Sequence, residues 1–194
     1  DNGSWSLAVY DNDYKDFINS ASTGFTNTGL LSFEYQNLES VNIKGVEFQS
    51  SFDVTENLSA TFGVNSSSGK QKGAELTNID PDQAILGLLW SSSSGKLTID
   101  SYIKATAEGP QGLPPACGRS GCEIALELPG HVLLESYLGY AANDNLSFRL
   151  AVRNMTDEKY WNWTSVAGSN ASDSGLDYFL NPGRNYSLSF KFTF

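Results

Sequence analysis

No part of this 194-residue chain holds the run of about 18 consecutive apolar residues that a membrane-spanning helix requires. Histidine occurs once, at His131, and cysteine twice, at Cys117 and Cys122. One imidazole and two thiols fall short of a four-ligand soft-metal site, so no metal centre is expected. No Gly-x-Ser-x-Gly elbow, phosphate-binding loop or dinucleotide fingerprint is present, and the single histidine has no recognisable partner set; an enzyme is not expected. Basic residues number 12 against 22 acidic ones, for a formal charge of −10, and they are scattered. Without a cationic stripe there is nothing to follow a nucleic-acid backbone. The chain starts at Asp1-Asn-Gly with neither an initiator methionine nor a signal peptide; for an exported protein, a removed leader or a larger missing portion is expected.

What is present favours strands. Aromatics make up 12% of the residues, there are 18 glycines, and serine, asparagine and threonine are abundant. The last stretch is the clearest. Tyr186, Leu188, Phe190, Phe192 and Phe194 are apolar, while Asn185, Ser187, Ser189, Lys191 and Thr193 between them are polar. Strict period-2 alternation gives one greasy face and one wet face. In an outer-membrane barrel such a strand turns its apolar side to lipid and its polar side to the lumen. An apolar-polar alternation recurs from Trp5 to Tyr10, Leu58 to Asn65, Lys96 to Lys104 and Leu146 to Arg153. Between Ser32 and Asp53 it slips one step near Ile43 and Val46, and a bulge at Gly45 is expected to absorb the slip. Residues 19–29 read as a loop.

Connection lengths alternate long and short along the chain. Short turns on the periplasmic side and long loops outside are the pattern of an up-and-down outer-membrane barrel. The expected fold is therefore all-β: an antiparallel transmembrane barrel wall of about eight strands, in one domain over residues 1–194. Trp5, Trp90, Tyr140 and Phe194 fall near strand ends, where an aromatic girdle belongs. Lys96, Asp100, Lys104, Arg149 and Arg153 fall on the expected lumen face, where charge is tolerated.

Two stretches carry more than architecture. Tyr10-Asp-Asn-Asp-Tyr-Lys-Asp-Phe-Ile18 is followed by Val41-Asn-Ile-Lys-Gly-Val-Glu-Phe48. Val152-Arg-Asn-Met-Thr-Asp-Glu-Lys-Tyr-Trp-Asn-Trp163 is followed by Asn181-Pro-Gly-Arg-Asn-Tyr186. Both resemble the C-terminal half of TonB-dependent outer-membrane receptors, and the Tyr160-Trp-Asn-Trp163 extension looks most like the branch that takes up haem, haemoglobin, transferrin and lactoferrin iron. The resemblance implies the last eight strands of a 22-stranded barrel whose plug domain and earlier strands are not in this chain. It implies TonB-energised import of an iron source, haem or haem-protein iron first and a ferric siderophore next, with no intrinsic cofactor. The implied partners are TonB through the plug, outer-membrane lipid and lipopolysaccharide, the iron carrier or host haem protein, and the barrel-assembly machinery. For that machinery, Tyr186, Leu188, Phe190, Phe192 and Phe194 look like the C-terminal assembly signal.

Four smaller readings complete the set. Cys117 and Cys122 enclose Gly-Arg-Ser-Gly between proline-rich flanks, which suits a local disulfide in an oxidising compartment. Tyr160, Trp161 and Trp163 either line the extracellular ligand vestibule or belong to the outer girdle, the girdle being preferred. Asp157, Glu158 and Lys159 read as a solvated polar run, and His131 as an exposed loop-end residue. Competing with the receptor reading are a self-contained eight-stranded barrel with a structural or adhesion role and a soluble sandwich.

Overall fold

The computed structural model describes residues 2–25, 28, 31–71, 74–76, 79–109, 116–118, 121–123, 126–166, 169, 171 and 174–194. Its strands are β1 (Gly3–Phe25), β2 (Leu31–Thr55), β3 (Leu58–Gln71), β4 (Ala74–Glu75), β5 (Gln83–Ser91), β6 (Leu97–Thr106), β7 (Ala116–Gly118), β8 (Gly121–Glu123), β9 (His131–Asn143), β10 (Leu146–Arg153) and β11 (Asn185–Phe192). A single helical turn, α1 (Trp163–Val166), and a 3-10 turn (Leu176–Phe179) lie between β10 and β11.

The wall is one antiparallel sheet in the order β1-β2-β3-β5-β6-β9-β10-β11, with β4 attached to β3 and the ribbon β7-β8 separate. Every wall strand pairs with its predecessor and successor in the chain, as an up-and-down barrel wall requires. β1 and β11 lie at opposite edges, so the sheet is open. That corrects the self-contained eight-stranded barrel: closure would need β1 to pair with β11, and the sheet order separates them.

Tight turns at 56–57, 92–96 and 144–145 gather at one end, and Trp5, Trp90, Tyr140 and Phe194 all lie toward that end. The strand ends that lead into the longer connections 26–30, 72–82, 107–130 and 154–184 lie at the other. In a barrel of this kind the first end faces the periplasm and the second the outside.

The two faces differ as lipid and lumen differ. Trp5, Leu7, Val9, Leu86, Leu88, Ile103, Leu150, Leu188 and Phe190 stand exposed on the outward face, Phe190 at 75% and Val9 at 75%. Among the described residues the buried apolar side chains are few: Val41, Ala60, Leu76, Leu128, Leu133, Ala151, Trp163 and Val166. A soluble sandwich would put those exposed side chains between two sheets; here they coat one surface, which only lipid can cover favourably. That excludes the sandwich. Ser136, which interrupts the apolar face of β9, meets Ser101 of β6 at 2.9 Å, so two hydroxyls in the lipid-facing band satisfy each other.

Two local expectations fail. There is no bulge at Gly45: β2 keeps register with β1 and with β3 from Asn42 through Glu47. Val41 and Ile43 instead share the inward face with Gly45, while Val46, Phe48 and Phe52 turn outward. Val41 is wholly buried, so above the bilayer the apolar residues change face because the packing partner changes from lipid to protein. Gly45 is required for another reason. A Cβ there would lie 2.5 Å from the Tyr10 hydroxyl and 2.6 Å from the Ser66 carbonyl. Residues 19–25 likewise do not form a loop; they continue β1, paired with β2 as far as Phe25 opposite Leu31, with a register shift between Ser22 and Gly24 (φ 107°).

Candidate functional site

Two parts of the molecule bring chemistry-bearing side chains together: the outer end of the β9–β11 corner, and the lumen face below it.

At the outer end, the arginine-asparagine motif after β10 forms a knot. Asn154 takes a left-handed backbone (φ 48°) and is 3% exposed, a conformation that asparagine tolerates better than most residues. Its amide nitrogen donates to the carbonyls of Glu158 (2.8 Å) and Pro182 (3.2 Å), and its side-chain oxygen accepts from the Glu158 N–H (2.8 Å). Asp157, also left-handed (φ 59°), accepts the Arg184 N–H at 2.7 Å. A Cβ at Gly183 would lie 2.5 Å from that same carboxylate oxygen, so the glycine of Pro182-Gly-Arg184 leaves room for the contact. Asp157 and Lys159 are exposed, as the solvated-run reading expects, and Asp157 and the Glu158 backbone in addition tie the top of β10 to the start of β11. The spacing from Asn154 to Asp157 could have signalled a turn with side-chain capping, but its partners lie 27 and 28 residues away.

Past the knot, the β6–β9 and β10–β11 connections share a small core. Leu128, Trp163 and Val166 are buried together, with Leu126, Trp161 and Leu176 packed against them. The Leu126 N–H donates to Ser169 O (3.2 Å), and Trp161 Nε1 donates to Leu176 O (2.9 Å). Trp161 and Trp163 thus pack one loop against another, Trp163 buried and Trp161 partly buried. Trp163 Nε1 is buried without a hydrogen-bond partner.

Tyr160 has a different neighbour. Its ring lies 4.5 Å from that of His131 with the planes inclined by 31°. His131 begins β9 opposite Thr106, at the outer rim of the wall, and is half-buried rather than an exposed loop-end residue. Burial pushes its imidazole below the ordinary histidine range, and Lys104 adds to this; Glu158 and the Pro129 carbonyl act in the opposite sense. Burial also pushes the Tyr160 hydroxyl up, with Glu135 contributing.

Cys117 and Cys122 face each other directly across β7 and β8. Opposed residues of an antiparallel pair have Cα atoms roughly 4.5–5.5 Å apart, inside the span of a disulfide; their side chains lie outside the described residues. On the arm of β1 and β2, the Asn42 amide bridges the carboxylates of Asp11 and Asp13.

The lumen face below the rim carries tyrosines laid against small residues of neighbouring strands. A Cβ at Gly87 would come within 2.9 Å of the Tyr102 ring, and Tyr137 stands opposite Ala151, itself 3% exposed. The Tyr102 hydroxyl donates to Asp100 (2.9 Å) and the Tyr137 hydroxyl to Glu135. The two rings meet edge to face, with centroids 6.3 Å apart.

The comparisons agree with this geometry. Residues 1–155 match the family described as TonB dependent receptor-like, beta-barrel. The chain is 26% identical over 223 residues to "Hemoglobin-binding protein A" of Haemophilus influenzae, covering 97% of this chain and 22% of that protein. It is 22% identical over 225 residues to "Probable hemoglobin and hemoglobin-haptoglobin-binding protein 4" of Haemophilus influenzae (strain ATCC 51907 / DSM 11121 / KW20 / Rd), covering 99% of this chain and 22% of that one. Among solved structures, "Copper transporter OprC" superposes with a TM-score of 0.79 at 20% identity, over 100% of this chain and 30% of that one, a likeness of fold. The chain spans about a fifth of the length of these curated relatives. With the family matched over most of its length, and with an open antiparallel wall whose outward face suits lipid, this chain belongs to the TonB-dependent receptor β-barrel family of the outer membrane.

Proposed function

We propose that the receptor carrying this chain imports iron across the outer membrane with energy supplied through TonB, and that the iron comes as haem or from a haem protein. One observation carries the choice of ligand: haemoglobin-binding relatives align along nearly the whole chain. The geometry fits a transport wall. The outward face is made for lipid and lipopolysaccharide, the outer end holds folded loops large enough to meet a protein, and the inner face is polar. The chain holds no cofactor of its own in this reading; the iron carrier is cargo. It acts as a transporter rather than an enzyme, since its chemistry-bearing residues serve packing, turns and an inward polar surface.

Three narrower assignments belong to the same proposal. The alternate apolar residues Tyr186, Leu188, Phe190 and Phe192, with Phe194, serve as the signal read by the barrel-assembly machinery. Cys117 and Cys122 form a disulfide that holds the β7-β8 ribbon. Tyr160, the aromatic of the loop set that reaches the rim beside His131, lines the entry to the lumen.

The test is growth of an iron-restricted host lacking its own haem receptors. The whole receptor should permit growth on haemoglobin, and the same cells without TonB should not grow. Growth on a ferric siderophore and none on haemoglobin or haemin would replace the haem reading by the siderophore one.

A further inference from the structure

The inward face of β10 and β11 carries two arginines that, among the described residues, form no salt bridge, although Glu135 of β9 and Asp100 of β6 share that face. Arg149 and Arg153 stand four residues apart on β10, on the same face, with Ala151 between them. Tyr137 of β9 lies opposite that alanine, and its ring fills the gap. The Arg149 guanidinium carbon is 4.9 Å from the ring centroid and that of Arg153 is 5.5 Å away. One ring is thus flanked by two cations, each attracted to its π-face and each repelling the other.

Two acids on that face bond to tyrosine hydroxyls rather than to the arginines, and their negative charge offsets part of the field. Glu135 accepts the Tyr137 hydroxyl and Asp100 accepts the Tyr102 hydroxyl. Arg153 Nη1 donates to the Ser187 hydroxyl at 3.2 Å, a neutral partner. Ser187 and Ser189 of β11 stand opposite Ala151 and Arg149, so the strand beside the arginines offers hydroxyls and no negative charge. Lys191 lies farther along the same face of β11, toward the tight turns, and adds to the positive field.

We propose that Arg149, Arg153, Tyr137 and Ser187 form a carboxylate-binding site on the lumen wall. Two guanidiniums can each present paired N–H donors to a carboxylate, and charge-assisted bonds of this kind are about twice as strong as neutral ones. The ring between them holds the two guanidiniums at a fixed spacing. Such a site takes a carboxylate from either of two sources: the side groups of a planar carboxylated ligand such as haem on its way through the lumen, or an acidic side chain of a protein segment inside the barrel. The inference rests on the barrel family and not on the identity of the iron source.

The experiment uses the whole receptor with Arg149→Ala and Arg153→Ala combined, and separately with both residues changed to Lys. Haemin-dependent growth or haemin uptake and the thermal melting of the purified receptor are measured together. A ligand carboxylate predicts haemin uptake reduced about tenfold or more at unchanged melting temperature, with partial rescue by the Lys pair. A protein carboxylate predicts a melting temperature lower by several degrees, also partly rescued by Lys. Both readouts unchanged in the Ala pair would overturn the site. Wild-type receptor that fails to use haemin would overturn the haem reading alone; an unchanged melting temperature in the Ala pair would then count against the site.

Discussion

The β1–β2 arm and the β10–β11 corner solve the same problem by opposite means. Each must satisfy backbone N–H and C=O groups once the chain has left the bilayer. β1 and β2 keep pairing: their 23 and 25 residues give roughly 40 Å of ladder beyond what a bilayer needs. β10 and β11 stop at Arg153 opposite Asn185 after 8 residues each. Beyond that pair, side chains take over, with Asn154 and Asp157 bonding to main chain and Leu128, Trp163 and Val166 forming a core. The arm relies on a repeated bond and, among its described side chains, on little burial, Val41 excepted. The corner relies on a few specific residues, so single substitutions should hurt it far more.

The largest expected effect is at Trp163. Truncation to alanine removes the centre of the loop core, which costs about 3–5 kcal/mol at well-packed aromatic sites. Proteolysis of the whole receptor should then cut within 154–184 while the β1–β2 arm stays resistant. Trp163→Phe should be close to neutral, because it keeps most of the ring volume and removes a buried N–H that has no partner. Equal cleavage of arm and corner in the alanine variant would dissolve the contrast.

Next comes Asn154. Alanine there loses three hydrogen bonds and places a Cβ residue without a local bond in the left-handed region, for an expected loss of about 2–4 kcal/mol. Glycine keeps the backbone at ease and loses the bonds alone, so Asn154→Gly should recover part of the deficit. Hydrogen exchange at the Glu158 and Arg184 amides reads both variants. If glycine and alanine behave alike, the left-handed backbone contributes nothing.

A smaller effect is expected on the arm. Gly45→Ala forces a methyl against a backbone carbonyl and the Tyr10 ring, and overpacking of this kind costs about 1–3 kcal/mol. Pairing it with Tyr10→Ala removes the movable half of the clash and should return part of the loss, measured by thermal melting of the double and single variants. No recovery would place the whole cost on the Ser66 carbonyl.

The contrast also explains what could be read in the sequence. Wall strands were legible because lipid and lumen impose a two-residue period, and because tight turns alternate with long connections. Where the surroundings change, the period no longer says which face is which. Val41 and Ile43 looked like a slipped register because they point to protein instead of lipid. Residues 19–25 looked like a loop because their small polar composition carries no packing signal, although the partner strand holds them. The knot was half legible. The Asn154–Tyr160 motif carries the family resemblance, but its work depends on Pro182 and Arg184, which no local rule connects to it. Likewise Trp161 and Trp163 could be seen as aromatics near a strand end, and only the fold shows that residues of another loop, Leu126 and Leu128, bury them.

The smallest expected effect sharpens the corner's joint with the wall. His131 is held neutral by burial and by Lys104 from β6, against the pull of Glu158 from the β10–β11 connection, and it stacks on Tyr160. Its folded pKa lies below the unfolded value near 6.5. Below about pH 6.5 the unfolded chain therefore binds a proton that the folded corner does not. The joint should keep its full stability above that pH, lose it progressively on acidification, and level off once the folded pKa is passed. Proteolysis within 154–184 should rise as pH falls through this window, while the arm, whose ladder contains no histidine, should not respond. His131→Phe retains a flat ring against Tyr160 and cannot take up the proton. The corner of that variant should be flat across the same range, and a slope equal to wild type would show that the pH response does not come from His131.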